Sequence, residues 1–356
     1  MQSILHKFRR QSVKFNIIIL SAVLLAVIIF SVSVGSAKLS FAESLKLAAA
    51  KLPFAGRFVD SAYLGTKYET IVWKVRMPRT LTAALVGASL SLVGAAFQGI
   101  FRNPLADPHI LGVSSGAAFG ATLAMLTGAG AGFMGLGTVG IFAFAGALAV
   151  VFLVYSISKI SGEISATSML LTGTAISTFL SALISLLMTF HNDQIEKVYM
   201  WTMGSFSSAA WGKVGFLTLF AAIGAGILLM YARKLNLILM GDDDAKCLGI
   251  DVDRTRRHII AAASILVGAS VAVSGVIGFA GFMITHCIRL VAGADNKKQM
   301  PYSFLLGAIF MTLCDVAART VAAPTEIPVG IITAMFGAPY FIFLVLRRRK
   351  GIVSQP

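Results

Sequence analysis

Charge is scarce in this sequence. Asp, Glu, Lys and Arg make up 13% of its 356 residues, where ordinary soluble domains carry about 25%. So low a share excludes a soluble globular domain. Cysteine is scarcer: Cys247, Cys287 and Cys314 are scattered and odd in number, which implies neither a disulfide framework nor a zinc site. Acids are half as many as bases, 15 against 30. No stretch has the phosphate-binding form GxxxxGK[ST]. His286 has no second histidine nearby, so a structural role is expected for it. No catalytic or metal-binding residue is expected anywhere.

What is present is apolar. Hydrophobic residues make up 57% of the chain, and uncharged runs of about 20 residues, long enough to span a bilayer, recur throughout. The expected class is an all-α polytopic membrane protein forming one domain over residues 1–356. The net charge of +15 then belongs to membrane topology, because bases gather beside spans. Nucleic acid is not an expected partner; membrane lipid is.

One wet segment interrupts the apolar runs. Residues 233–257 hold Asp242, Asp243, Asp244, Asp251 and Asp253, five of the 15 acids. Val214 to Ala232 and Ile259 to Thr285, on either side, carry no charge. Leu235, Leu237, Ile238 and Leu239, then Ala245, Leu248 and Ile250, fall at roughly helical spacing, broken by Gly241 and Gly249. The segment is either a solvated loop or a pair of short helices at the membrane surface, shaped for a partner.

Taken in order, the chain opens with His6, Lys7, Arg9, Arg10 and Lys14, then runs uncharged from Phe15 to Ala37. That is longer than a signal-peptide core, so it reads as a retained first span with its basic end in the cytoplasm. Residues 38–75 form an extracytoplasmic segment. Within it Ser40 and Glu43 have the spacing of a capping box opening a surface helix, and Lys51 to Glu69 reads as irregular loop. Trp73, Arg76, Pro78 and Arg79 lead into the second span, Thr80 to Phe101. The turn Arg102 to Pro108 follows, with Asp107 suited to cap the next helix and Pro108 to its first position. Pro108 to Ser158 carries no charge and supplies two spans, with Gly112, Gly116 and Gly120 offering a smooth packing face. Lys159 to Glu163 makes a polar turn, and spans follow at Ile164–Phe190 and Val214–Ala232.

Six crossings put the charged segment inside, and Arg347 to Lys350 should also be inside. About 35 residues to Gly293 are short for two complete helices. A full seventh span to about Ser274, an unwound stretch over Gly275 to Gly281 and a short eighth helix through His286 and Arg289 are therefore expected. Such a break is tolerable only in protein or beside a cavity. Met300 to Ala318 is the ninth span, with Asp315 and Arg319 close enough to pair; Val329 to Leu346 is the tenth. Arg76, Arg79 and Arg319 fall outside, against the positive-inside tendency. They either snorkel to headgroups or meet an acidic partner.

The motifs RMPR at 76–79, GAAFQGIFRNPLADPHILGVSSGAAFGA at 94–121, GVIGFAGFMITHCIRL at 275–290 and PTEIPVGIITAMFGAPYF at 324–341 resemble the FecCD-type permeases of ABC importers for iron-siderophores, haem and cobalamin. The match runs from about Arg76 to Arg349. It departs at Thr285, where the family usually has proline, and that loss should relax a helix start.

The resemblance implies a homodimer in the cytoplasmic membrane of a prokaryote, with both termini inside. Two ATPase subunits, which hold ATP and Mg, drive it, and a separate binding protein delivers the chelate. This chain would bind no cofactor and catalyse nothing. Gly241, Asp242, Asp243, Ala245, Leu248 and Gly249 would belong to the ATPase-coupling segment. Arg76, Arg79 and Arg319 would dock the binding protein. Asn103 and Leu105, with Ala166 and Thr167, would form the cytoplasmic gate. The alternative is an ion-coupled secondary transporter of a metal chelate, but only Asp315, His286 and Arg289 offer ionisable groups in the spans.

Overall fold

A computed structural model describes residues 12–35, 40–49, 66–128, 132–133, 135–160 and 166–349. The basic stretch before residue 12, residues 50–65 of the outer segment, the 161–165 part of the polar turn and Lys350 lie outside these. The described chain is helical apart from one two-stranded hairpin.

In order come α1 (Val13–Ser33), α2 (Phe41–Ala49) and α3 (Lys67–Thr70). A π-helical turn, Ile71–Arg76, joins α3 to α4 (Met77–Ile100) without a break. A 3₁₀ turn (Pro108–Leu111), α5 (Val113–Thr127), the hairpin β1 (Gly132–Phe133) and β2 (Leu136–Gly137), and α6 (Thr138–Ile160) follow. Next are α7 (Ala166–Phe190), α8 (Ile195–Thr202), α9 (Trp211–Met230), α10 (Ala232–Met240) and α11 (Asp242–Cys247). The chain ends with α12 (Val252–Ser274), α13 (Ala280–Ala292), α14 (Asn296–Thr320) and α15 (Val329–Arg349). Among the described residues, seven helices are long and apolar enough to cross a membrane: α1, the continuous Lys67–Ile100 helix, α6, α7, α9, α12 and α14. The shorter apolar helices are α5, α13 and α15. The protein is an all-α, multi-pass membrane protein.

The bundle is built round α4, which is buried almost continuously from Pro78 to Ile100. Its small residues allow this. A Cβ at Gly87 would overlap the Gly307 carbonyl of α14, and one at Gly94 would overlap the Gly281 carbonyl of α13. Close backbone approach of this kind is how helices associate where lipid removes the hydrophobic drive. The expected Gly116–Gly120 face works the same way against Gly146 and Phe142 of α6.

The surface helix starts where its capping box sets it. The Ser40 backbone N–H donates to Glu43 Oε2 (2.9 Å) and the Glu43 N–H donates to Ser40 Oγ (3.2 Å). The Ser40 backbone donor, with its hydroxyl, holds the Glu43 carboxyl below the usual carboxylate range. One expectation fails nearby: Lys67 to Glu69 are helical, not loop. Thr66 caps them, accepting from the Glu69 N–H at 3.3 Å.

The break after α12 begins at Gly275 as expected but is shorter than expected: it ends at Phe279, and Ala280 and Gly281 already belong to α13. Carbonyls at and beside it find partners in protein. Ser205 N–H donates to the O of Ser274, the last residue of α12 (2.8 Å), and His109 Nε2 donates to Ile277 O (2.8 Å). Phe279 then turns into α13 with φ of 66°. Thr285 does not stand at a helix start. It is inside α13, and its hydroxyl donates to Ser91 O at 2.9 Å, stapling α13 to α4.

Candidate functional site

Among the helices long enough to cross, α7 is the most open. Thr174, Thr178, Ser181, Ser185 and Thr189 are all exposed and fall at intervals of four, three, four and four residues, one helical face. Thr174, Thr178, Ser185 and Thr189 donate back to the carbonyls four residues earlier, at 2.8 to 3.0 Å. Their oxygens keep acceptor lone pairs facing outward. Phe179, Leu186 and Phe190 are exposed among them. A hydroxyl stripe along an otherwise apolar helix suits contact with a polar path. Helical spacing of Ser and Thr was the signal for it in the sequence, and reading for apolar runs passes over it.

Two of the expected gate residues open this helix. Ala166 is its first residue and Thr167 is exposed. Asn103 is exposed and Leu105 half-buried in the turn after α4. That turn is preorganised, because Asn103 Oδ1 accepts from the Leu105 N–H (2.9 Å) and Asp107 Oδ1 from the His109 N–H (2.8 Å). The 3₁₀ turn that follows packs against α7.

The charged segment is the pair of short helices, α10 and α11, and not an open loop. Gly241, with φ of 150°, separates them, and Gly249, with φ of 79°, ends the second. Ile238, Ala245 and Val252 are buried together beneath it, with Leu237 and Ile250 against them. Ala245 is therefore a core residue and not part of a docking face. Asp242 turns inward as well: Arg256 Nη2 lies 2.9 Å from its carboxylate and Arg102 Nη2 lies 3.5 Å away. Arg102 immediately precedes Asn103, so one carboxylate ties α11 to the turn after α4. Leu248, 59% exposed, and the fully exposed Asp243 side chain face outward. At the same end Asn236 accepts from the Asn296 N–H (2.8 Å) and donates to Asp295 Oδ1 (2.7 Å), joining α10 to the start of α14.

The opposite end gathers the three arginines expected on the surface. The structure buries them: Arg76 is 4% exposed and Arg79 and Arg319 are 7% exposed. Arg76 Nη1 donates to Val32 O and Ser33 O, both at 3.1 Å. Arg319 donates to Ser31 O (2.6 Å), Ser31 Oγ (2.7 Å) and Val34 O (2.9 Å). Apart from the Ser31 hydroxyl, these are carbonyls at the C-terminus of α1, which a helix leaves without internal partners and which carry its negative dipole end. Arg79 Nε donates to Asp315 Oδ1 (2.8 Å), and its Nη1 reaches both oxygens of Glu326 (2.8 and 3.0 Å). Asp315 and Arg319 pair at 3.5 Å as expected. The guanidiniums do not snorkel. They sew α1, α4, α14 and the 321–328 turn together.

Aromatic anchors stand at this same level. Trp73 stacks on Trp211 (centroids 5.7 Å apart), and Trp211 Nε1 donates to Trp73 O at 2.7 Å. Beside them a cavity of about 570 Å³ is lined from α8, the start of α9, the end of α12 and Glu326. The break after α12 meets it at Ser274 and Gly275, so the irregular backbone does border a cavity.

Comparison with known proteins agrees with this architecture. The chain is 42% identical over 282 residues to the cobalamin import system permease BtuC of Halobacterium salinarum, covering 79% of this chain and 74% of that one. It is 36% identical over 334 residues to the Fe(3+)-citrate import system permease YfmD of Bacillus subtilis, covering 92% and 94%. A solved structure described as an inward-facing metal-chelate type ABC transporter superposes with a TM-score of 0.79 at 33% identity, over 94% of this chain and 99% of that one. The sequence profile of the FecCD transport family matches residues 23–347, and the chain belongs to that family.

Proposed function

We propose that this chain is the permease subunit of a binding-protein-dependent ABC importer for a metal chelate, with an iron-siderophore ranked before haem and cobalamin. The observation that carries the path is the hydroxyl stripe of α7, which starts beside the gate residues and is left open by the single chain. A second copy set against that face would close a polar route between two α7 helices. Seven long and three shorter apolar helices among the described residues support a reading of ten crossings per subunit. The Asp242 end is then cytoplasmic and the arginine end faces out, with both termini on the cytoplasmic side of the membrane. The assignment of α10 and α11 to ATPase coupling rests on their folded, solvent-facing form, with Leu248 and Asp243 as the groups open to a groove. ATP and Mg belong to the two partner ATPase subunits.

Docking of the binding protein through Arg76, Arg79 and Arg319 requires a change of partners, because each already holds internal acceptors. Arg79 is the most exchangeable of the three, since Glu326 has a side chain 44% exposed. A carboxylate brought by the docking protein would replace Glu326 with little loss. Ion-coupled transport by the chain alone is the second reading, and Asp315 argues against it: it is fixed between Arg79 and Arg319 near the end of α14. The test is uptake of a ferric chelate into vesicles holding the full complex. ATP dependence without response to a proton or sodium gradient supports the importer; gradient-driven uptake without ATP overturns it.

A further inference from the structure

The cavity beside the break after α12 carries a chemistry of its own. Lys197 of α8 and Lys213 of α9 both line it, with Ser207, Ser208, Trp201 and Glu326. Lys197 Nζ is held by Gln194 Oε1 (3.2 Å) and Lys213 Nζ by Ser208 Oγ (2.7 Å). Among the described residues neither ammonium pairs with a carboxylate. The one acid in the lining is taken, because Glu326 gives both oxygens to Arg79. Two lysines, Lys197 exposed and Lys213 half-buried, thus line a partly enclosed space together with seryl hydroxyls and Trp201. A volume of about 570 Å³ falls within the range of small-molecule sites. Only four residues, 191–194, separate α8 from the end of α7 and its hydroxyl stripe.

We propose that this cavity is an anion site which receives the carboxylates of a polycarboxylate metal chelate as it enters from the arginine end. The inference deepens the import reading and rests on it for the cavity's place on the route. Lys197 and Lys213 supply charge-assisted bonds to carboxylate oxygens, and the seryl hydroxyls supply neutral donors. Trp201 covers the apolar part of the ligand. The backbone at Ser274 and Gly275 forms one wall, so occupancy bears on the segment where α12 is unwound.

The test is equilibrium binding of ferric citrate, and separately of citrate alone, to the full permease–ATPase complex in nanodiscs without nucleotide. Saturable, salt-sensitive binding is expected in the parent. In Lys197→Gln, Lys213→Gln it should weaken about tenfold or more, as loss of hydrogen bonds to charged groups predicts, while Lys197→Arg, Lys213→Arg retains it. A neutral hydroxamate chelate, ferrichrome, should show no difference between parent and variant. Absence of saturable binding in the parent, or equal affinity in the glutamine variant, overturns the proposal. Binding is measured without turnover, so either failure leaves ATP-driven import to be decided by the vesicle assay.

Discussion

At the arginine end, five charged side chains and the C-terminal carbonyls of α1 share one site, and its three guanidiniums are 4 to 7% exposed. At the aspartate end, the Asp243 side chain is fully exposed and Leu248 is 59% exposed. Both regions looked alike in the sequence, as bases and acids beside apolar runs. Their physical uses differ. The three guanidiniums and Asp315 at the arginine end are buried and paired with one another, with Glu326 or with α1 carbonyls, which makes them strongly destabilising to break. Charges on α11 are mostly solvated, which makes them cheap to alter and free to meet another protein. On the proposed orientation Arg76, Arg79 and Arg319 depart from the positive-inside tendency, and the end of α1 and Asp315 supply an internal cause.

That contrast can be broken by substitution. Asp315→Asn leaves Arg79 and Arg319 without their buried carboxylate, and a loss of about 3–5 kcal/mol is expected, read as a collapse of the thermal unfolding midpoint in detergent. A small drop would mean that the cluster is wet and not a structural lock. Ala245→Arg comes next. The residue is 0% exposed, so overpacking of the α10–α11 core should cost about 1–3 kcal/mol, seen as lower yield and midpoint. Normal stability would place Ala245 on the surface after all.

Asp242→Asn should cost about 1 kcal/mol or less, because its pairs with Arg102 and Arg256 are partly solvated. Its functional effect should be larger than its structural one. With the tie between α11 and the turn after α4 loosened, and if that turn is the proposed gate, ATP hydrolysis should continue while uptake per ATP falls. Equal uptake per ATP would remove Asp242 from the coupling route.

Much of the fold was legible because it rests on local chemistry. Gly241 and Gly249 bracket α11, Gly275 and Gly278 lie within the unwound stretch, and Ser40 with Glu43 opens α2, each where spacing put it. The helix at Lys67 was legible too, since Thr66 and Glu69 have the same capping form as Ser40 and Glu43. Reading 51–69 as one loop missed it. The partners of the arginines were not legible. Arg79 meets Asp315, 236 residues away, and nothing in local spacing tells a buried guanidinium from one at the surface. The same limit applies to Ala245: helical spacing placed it on a short amphipathic element, but which face packs downward depends on Ile238 and Val252.

The most direct measurement is binding-protein-stimulated ATP hydrolysis by the reconstituted complex carrying Leu248→Asp. Leu248 is 59% exposed and is not a member of the buried α10–α11 cluster, so stability should stay within about 0.5 kcal/mol of the parent. The account predicts an unchanged unfolding midpoint for the isolated permease together with loss of ATPase co-purification and of stimulated hydrolysis. Full assembly and full stimulation in this variant would contradict it.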